Sequence, residues 1–298
     1  IPMSPMLLKL GNLEVYRVPE VTVAYAPTFL FKALPQGFID SHRDALPDWS
    51  VERGSERIYL SFQSFLVRHA GRTILVDTCN GNHKDRPGMP RWHQTEFPYL
   101  QRLADAGVTP AQVDIVLCSH LHADHVGWNT RLENGRWVPT FPNARYLVSD
   151  IELAHWQDQG AQNASRPLNH GSYQDSVLPI LEAGLLDAVS ADHTVSRDVD
   201  AHLSLELAPG HTPGHVHLVM RSRGHQLIYA ADTIHHPLQV AHPQYGLTDG
   251  DAVLAEQTRR ELIARCAASG ATLLPAHFEH AGTIHHHQGG AVFRTLDL

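Results

Sequence analysis

The run Cys118-Ser119-His120-Leu121-His122-Ala123-Asp124-His125-Val126-Gly127-Trp128 places three histidines and an aspartate within six positions. It follows the apolar run Val113 to Leu117, which reads as a buried strand, so the histidines fall on the loop leaving its C-terminal end. Alternate side chains of extended backbone point the same way, and His120 and His122 can therefore reach one metal ion together. Asp124 and His125 come after the chain has turned and can face a second ion. Helical H-E-x-x-H sites, whose ligands stand four apart, are built differently. Imidazole and carboxylate donors suit zinc, with cobalt, manganese and iron as alternatives. One loop cannot complete such a site, so the fold has to bring further donors to it.

Composition narrows the class. The chain has 298 residues, 43% hydrophobic and 18% charged, as in ordinary globular proteins, and strands and helices alternate along its whole length. One α/β domain spanning residues 1–298 is expected, with no internal repeat. A formal net charge of -8 argues against nucleic acid as a partner, and no apolar run approaches the ~20 residues of a membrane span. Three cysteines far apart in sequence, Cys79, Cys118 and Cys266, predict a reducing, cytoplasmic setting rather than a disulfide framework. The N-terminal residues lack the basic and apolar regions of a signal peptide, although a segment trimmed before Ile1 leaves no trace here. Histidine is as frequent as lysine and arginine together, 23 of each, so placement decides which histidines matter.

Strands are expected at Leu13 to Val18, Ile58 to Val67 and Thr73 to Asp77, the last ending at an acidic residue. Residues 20–55 are rich in proline and aromatics without a period, and residues 1–56 read as an extension that walls a pocket. Helices are expected at about 95–106, at Ile151 to Trp156 with Asp150 as cap, at Ser176 to Glu182 and at Asp251 to Ser269. The last has Val253, Leu254, Leu262, Ile263 and Cys266 placed to form one face. Leu203 to Ala208 leads into Pro209-Gly210-His211, Val216 to Arg221 and Gln226 to Ala231 form a hairpin, and Leu273-Leu274 leads into Pro275-Ala276-His277.

The loop resembles the H-x-H-x-D-H signature of the metallo-β-lactamase fold superfamily, and the resemblance continues in order from about residue 57 to 282. Asp77 resembles the acidic residue that ends an early strand and braces the site. His211, in Pro209-Gly210-His211-Thr212-Pro213-Gly214-His215, resembles the third histidine of the first metal. Asp232 resembles the carboxylate bridging both metals, and His277 the last ligand of the second. The resemblance implies a four-layer αββα sandwich with its metal site at one edge of the two sheets. It also implies two divalent ions, most readily zinc. His120, His122 and His211 hold one, Asp124, His125 and His277 the other, and Asp232 bridges them together with a water-derived hydroxide. Asp124 and Asp232 are the catalytic carboxylates, Asp124 passing a proton to the leaving group.

Trp128 and His235 are the substrate-pocket candidates. Trp128 stands where many relatives have a small residue, so its ring lines the pocket or caps a helix. His235 stands where the best-known homoserine-lactone lactonases carry a tyrosine, and is more like the organophosphate-hydrolysing relatives. Phe29-Leu30-Phe31, Trp92 and Trp156 are further wall residues. His215 and His217 are expected outside the ligand set, and Cys79 and Cys118 as packing. His285, His286 and His287 are expected in a solvated terminus. The resemblance is strongest to the lactonase and organophosphate-hydrolase branch, which implies hydrolysis of a small-molecule lactone or ester, with phosphotriesters as side substrates, and a homodimer. A main phosphotriesterase activity, a β-lactamase and a mononuclear iron sulfur dioxygenase are the alternatives. No G-x-S-x-G elbow or phosphate-binding glycine loop offers rival chemistry.

Overall fold

The computed structural model describes residues 6–162, 167–246, 248–287 and 290–296. Strands β1 (Met6–Leu10), β2 (Leu13–Tyr25), β3 (Ile58–His69) and β4 (Arg72–Val76) pair antiparallel, and β5 (Ile115–Leu117) joins β4 in parallel. A separate hairpin, β6 (Thr130–Glu133) and β7 (Arg136–Pro139), precedes β8 (Arg145–Ser149) and β9 (Leu186–Val189). Both of these extend the first sheet in parallel, in the order β1-β2-β3-β4-β5-β8-β9. The second sheet runs in chain order. It comprises β10 (Thr194–Arg197), β11 (Ala201–Leu207), β12 (Val216–Ser222), β13 (His225–Ala231), β14 (Thr272–Pro275), β15 (Gly282–His287) and β16 (Gly290–Thr295). Only β13 and β14 pair parallel in it.

Both sheets are buried on two faces, and their strands alternate accordingly. In β4 and β5, Ile74, Val76, Ile115 and Leu117 face the second sheet, meeting Leu218, Met220, Leu227 and Tyr229 in one core. Leu75 and Val116 face the other way, against Tyr99 and Leu103 of α2 (Tyr99–Asp105). Val219, Ile228 and Leu273 turn to the outer face of the second sheet, where Leu262, Ile263 and Cys266 of the long terminal helix cover them. This is the four-layer αββα sandwich. Three more helices lie around the first sheet and its loops: α1 (Phe38–His42) in the N-terminal segment, α3 (Ala123–Val126) in the histidine loop, and α4 (Asp150–Gln162). Then follow α5 (Leu178–Glu182), α6 (Leu238–Ala241) and the long α7 (Ala252–Ser269). No helix among the described residues is long and apolar enough to cross a membrane.

Several local expectations need correction. Strand β2 runs past Val18 to Tyr25 because a bulge absorbs Pro19: the register jumps between Pro19 and Val21. The bulged residue, Glu20, is 1% exposed and turned inward. Helix α4 starts at Asp150, and the Glu152 N–H bonds Ser149 Oγ, so Ser149 caps it. The expected helix at 176–182 is α-helical only from Leu178, after a π-helical turn at Tyr173–Val177. Val253 does not join the buried face of α7; it is 81% exposed. The Asp251 carboxylate caps α7 by accepting from Leu254 N. His285 and His286 lie exposed on β15, within a hairpin.

The α7 core face generates a contrast measurable by chemical denaturation. Leu262→Ala should cost about 2–5 kcal/mol. Val253→Ala, one helix face away, should stay within about 0.5 kcal/mol.

Candidate metal centre

Parallel strands β4, β5, β13 and β14 all end at the same edge of the sandwich, the place where open α/β sheets build their sites. Asp77 follows β4, the histidine loop follows β5, Asp232 follows β13 and His277 follows β14. His211 arrives on the loop between β11 and β12. There Gly210 takes φ 129°, and a Cβ on it would lie 2.3 Å from the Ala255 nitrogen, so only glycine lets this loop meet the start of α7.

The seven expected donors converge. Ligand atoms of His120, His122 and His211 form one group and those of Asp124, His125, Asp232 and His277 another, each with its atoms within 4.8 Å of one another. Asp232 reaches both: Oδ2 lies 3.3 Å from His211 Nε2 and 3.2 Å from His125 Nε2, and Oδ1 lies 3.3 Å from His277 Nε2. His235 also comes in, its Nε2 3.2 Å from Asp232 Oδ2, forming a third group with His211 and Asp232.

What lies behind the imidazoles fixes how they face. His125 Nδ1 is 2.9 Å from Asp77 Oδ2, His211 Nδ1 3.1 Å from Asp249 Oδ1, and His277 Nδ1 3.0 Å from the Ser61 carbonyl. His120 Nδ1 is 3.1 Å from Ser119 Oγ, whose own proton goes to Asp77 Oδ2. With each Nδ1–H donated outward, the Nε2 lone pairs point into the site. His122 presents Nδ1 instead, 3.1 Å from His120 Nε2 and 2.9 Å from His211 Nε2.

This donor set fits divalent cations. The His125 Nε2 and Asp232 Oδ1 atoms are buried without a hydrogen-bond partner, and nitrogen lone pairs face one another at hydrogen-bond distance. Burial, then neighbouring imidazoles, hold His120 well below the usual histidine value, and burial and His211 hold His122 at about 3, so both rings are neutral and keep lone pairs free for a cation. Burial also pulls His211 down, but Asp232 and Asp249 outweigh it and raise the ring to about 9. Burial would raise the Asp232 carboxyl, yet His125, His277 and His235 beside it hold it far below the usual range. The carboxylates call for positive charge, and the remaining lone pairs provide the coordination.

A cavity of about 250 Å³ opens over this cluster. Phe29, Leu30, Leu60, Phe62, Met89 and Trp92 form its apolar wall, and Asn169, His170, His235 and Thr248 its polar margin. Trp128 does not line it. Its indole stacks on Tyr99 at 5.1 Å and donates from Nε1 to Glu20 Oε1 at 2.8 Å, inside the core behind the loop. Phe31 is likewise buried against Ile39 and Phe62 rather than lining the cavity. Trp156 is not a lining residue either; its ring stands 5.8 Å from that of His122, and it bonds Glu152. His215 lies outside the donor set, accepting from Asp232 N at 3.1 Å, and His217 bonds Thr233. Cys79 and Cys118 are buried and unreactive, burial pushing the Cys118 thiol up to about 12.

Residues without any motif hold the ligands. Glu152, fully buried, accepts from Leu121 N and Trp156 Nε1 through one oxygen and from Thr212 Oγ1 and Gly214 N through the other. It therefore clamps the His120–His122 loop to the His211 loop. Arg259 of α7 holds Asp249 at 2.9 Å, and Asp249 holds His211. Glu20 accepts from Asn80 N, Gly81 N and Trp128 Nε1, locking the loop after β4 to the end of the histidine loop. Gly127 is needed there, because a Cβ would lie 1.9 Å from the Asn80 carbonyl oxygen. Glu152→Ala should therefore lower metal affinity about 10–100-fold, read by chelator competition, with all seven donors still in the chain.

Known proteins share this chain's sequence pattern and fold. The chain is 30% identical over 218 residues to an N-acyl homoserine lactonase AttM of Rhizobium radiobacter, a match covering 66% of this chain and 74% of the relative. Among solved structures it superposes on hydrolase AbOPH of the beta lactamase superfamily with a TM-score of 0.78, 22% identity and coverage of 99% and 98%. It superposes on AidC, a dizinc quorum-quenching lactonase, with a TM-score of 0.77, 22% identity and coverage of 98% and 97%. The family model for the metallo-beta-lactamase superfamily matches residues 63–277, from β3 to the last expected ligand, and the chain belongs to that superfamily.

Proposed function

We propose that this protein is a dinuclear metal-dependent hydrolase that opens lactones or cleaves esters of small molecules. The observation that carries the reading is Asp232, whose two oxygens contact imidazoles of both donor groups at the floor of a cavity with an apolar wall. His120, His122 and His211 would hold one cation and Asp124, His125 and His277 the other, with Asp232 shared. Zinc is the ion that imidazole and carboxylate donors favour. When bound, such ions supply Lewis acidity toward a carbonyl oxygen and make water a nucleophile near neutral pH.

The chain's own residues do the rest. The apolar wall receives the hydrocarbon part of the substrate and excludes water from the reacting carbonyl. Asp124 lines the cavity with its carboxylate 3.7 Å from His277 Nε2. It takes up the proton released as water adds and returns it to the departing alkoxide, so ester and water become acid and alcohol. His235, at the cavity margin, donates to the substrate carbonyl or alkoxide oxygen. The segment 1–56 contributes Phe29 and Leu30 to the wall, and we treat it with the remainder of 1–298 as one domain. Lactonase activity is favoured over the other branches by the AttM similarity, and a full set of seven donors in two groups favours two ions over a single iron. Because lactones and phosphotriesters both develop charge on an oxygen beside the metals, slower phosphotriester turnover is part of the reading.

The test is metal analysis with a panel of acyl-homoserine lactones, aryl esters, a paraoxon-like triester and nitrocefin. Two ions per chain with lactones or esters turned over best supports the reading; one iron with oxygen consumption contradicts it. Asp232→Ala and His122→Ala should each lower kcat by at least about 100-fold, and intact turnover in either sinks the mechanism. His235→Ala should change the ranking of substrates while two ions stay bound; loss of an ion makes His235 a ligand. Since the donors must be deprotonated, metal affinity should fall as pH drops below about 6, measured by titration at fixed ionic strength.

A further inference from the structure

The catalytic cavity, at about 250 Å³, is below the roughly 300–1,000 Å³ of pockets that enclose a whole drug-sized ligand. Beside it lies a groove of about 660 Å³, and the two share Asn169 and His170 as lining residues. This groove runs between the loop at Arg86–Gly88 and the turn at Pro167–Gly171. Two of its charges neutralise each other, Arg86 forming a two-pronged pair with Asp175 at 2.6 and 2.9 Å, which leaves Asp85 as the other charged side chain of the lining. Pro87, Gly88, Pro167 and Gly171 contribute proline and glycine surface beside the neutral Gln174, a stretch of wall suited to an uncharged chain.

The junction is built rather than incidental. Asn169 and His170 both adopt left-handed backbone, φ 49° and 57°, followed by Gly171 at φ 90°. Consecutive non-glycine residues in that region persist only where the surroundings impose them. The imposing contact is visible: the Asn169 amide donates to the carbonyl of Leu121, which lies between His120 and His122. The wall between cavity and groove is thus tied directly to the histidine loop, at a fixed place relative to the reacting centre.

We propose that the groove is a distal subsite for the acyl chain of the substrate, entered over Asn169 and His170. The inference rests on the ester-hydrolase reading above and assigns the long, uncharged acyl derivatives as its substrate class. A butanoyl group fits within the catalytic cavity, whereas a decanoyl group crosses the junction and lies in the groove.

Gly88 offers the test. Gly88 lines the groove, a Cβ there meets nothing within 4 Å, and its φ is outside the left-handed region, so a large side chain can be added at this position of the wall without strain. Gly88→Trp and Gly88→Leu would be compared with wild type on butanoyl and decanoyl members of two series, acyl-homoserine lactones and p-nitrophenyl alkanoates. Thermal melts identify whichever variant is folded. The expected result is a fall of at least tenfold in the decanoyl-to-butanoyl ratio of kcat/KM in Gly88→Trp, and a smaller fall in Gly88→Leu. A ratio within threefold of wild type in both series overturns the subsite while leaving the hydrolase reading intact. Turnover of p-nitrophenyl esters without lactones removes the lactonase reading and still reads the groove. No turnover of either series by wild type overturns both.

Discussion

Everything at the reactive edge depends on one buried carboxylate, Asp77. It accepts four hydrogen bonds: Ser119 N at 2.8 Å through Oδ1, and Ser119 Oγ, His125 Nδ1 and Tyr229 OH through Oδ2. Those donors come from the end of β5, the histidine loop and β13, so one side chain ties both sheets to the loop that carries the metal donors. A charge that is 1% exposed is tolerated only with such partners. Its backbone is itself in the left-handed region, at φ 54°, the turn that swings the carboxylate under the loop. His125 can offer Nε2 to the site because Asp77 takes the proton on Nδ1.

The same logic repeats around the centre. His120, His125, His211 and His277 each have an acceptor behind the ring, and each acceptor is anchored in a second element: Asp249 by Arg259 of α7, Ser61 in β3, Ser119 by Asp77. Glu152 does for the loops what these groups do for the rings, joining the first two donor loops through three hydrogen bonds. The result is a set of lone pairs held at close range, costly in themselves and compensated by cations. Over them, the N-terminal segment and the β3 face close an apolar wall, giving a site where a carbonyl can be polarised away from bulk water.

The sequence was explicit about donors and, among their supports, pointed only to Asp77. The expected donors sit at strand ends within short motifs: spacing marks His120, His122, Asp124 and His125, resemblance to the family pattern marks His211, Asp232 and His277, and the apolar alternation of β4, β5, β12 and β13 reveals the layers. Glu152, Asp249, Tyr229 and Glu20 carry no local signature, because their roles are set by groups 31 to 152 positions away. Trp128 illustrates the cost of reading a side chain from its neighbours in sequence. It follows the ligand loop but turns into the core, where the bulged Glu20 awaits its indole N–H. Val253 falls on the side of α7 away from the buried face that Ala255, Arg259, Leu262, Ile263 and Cys266 define, and stays 81% exposed. The groove beyond His170 involves loops with no period at all and emerges only from packing.

The most direct test of the central claim is anomalous scattering from crystals of the protein loaded with zinc, collected on both sides of the zinc edge. Two peaks are expected, one among His120, His122 and His211 and one among Asp124, His125 and His277, with Asp232 touching both. A single peak, or peaks elsewhere such as at His285 and His286, would contradict the account.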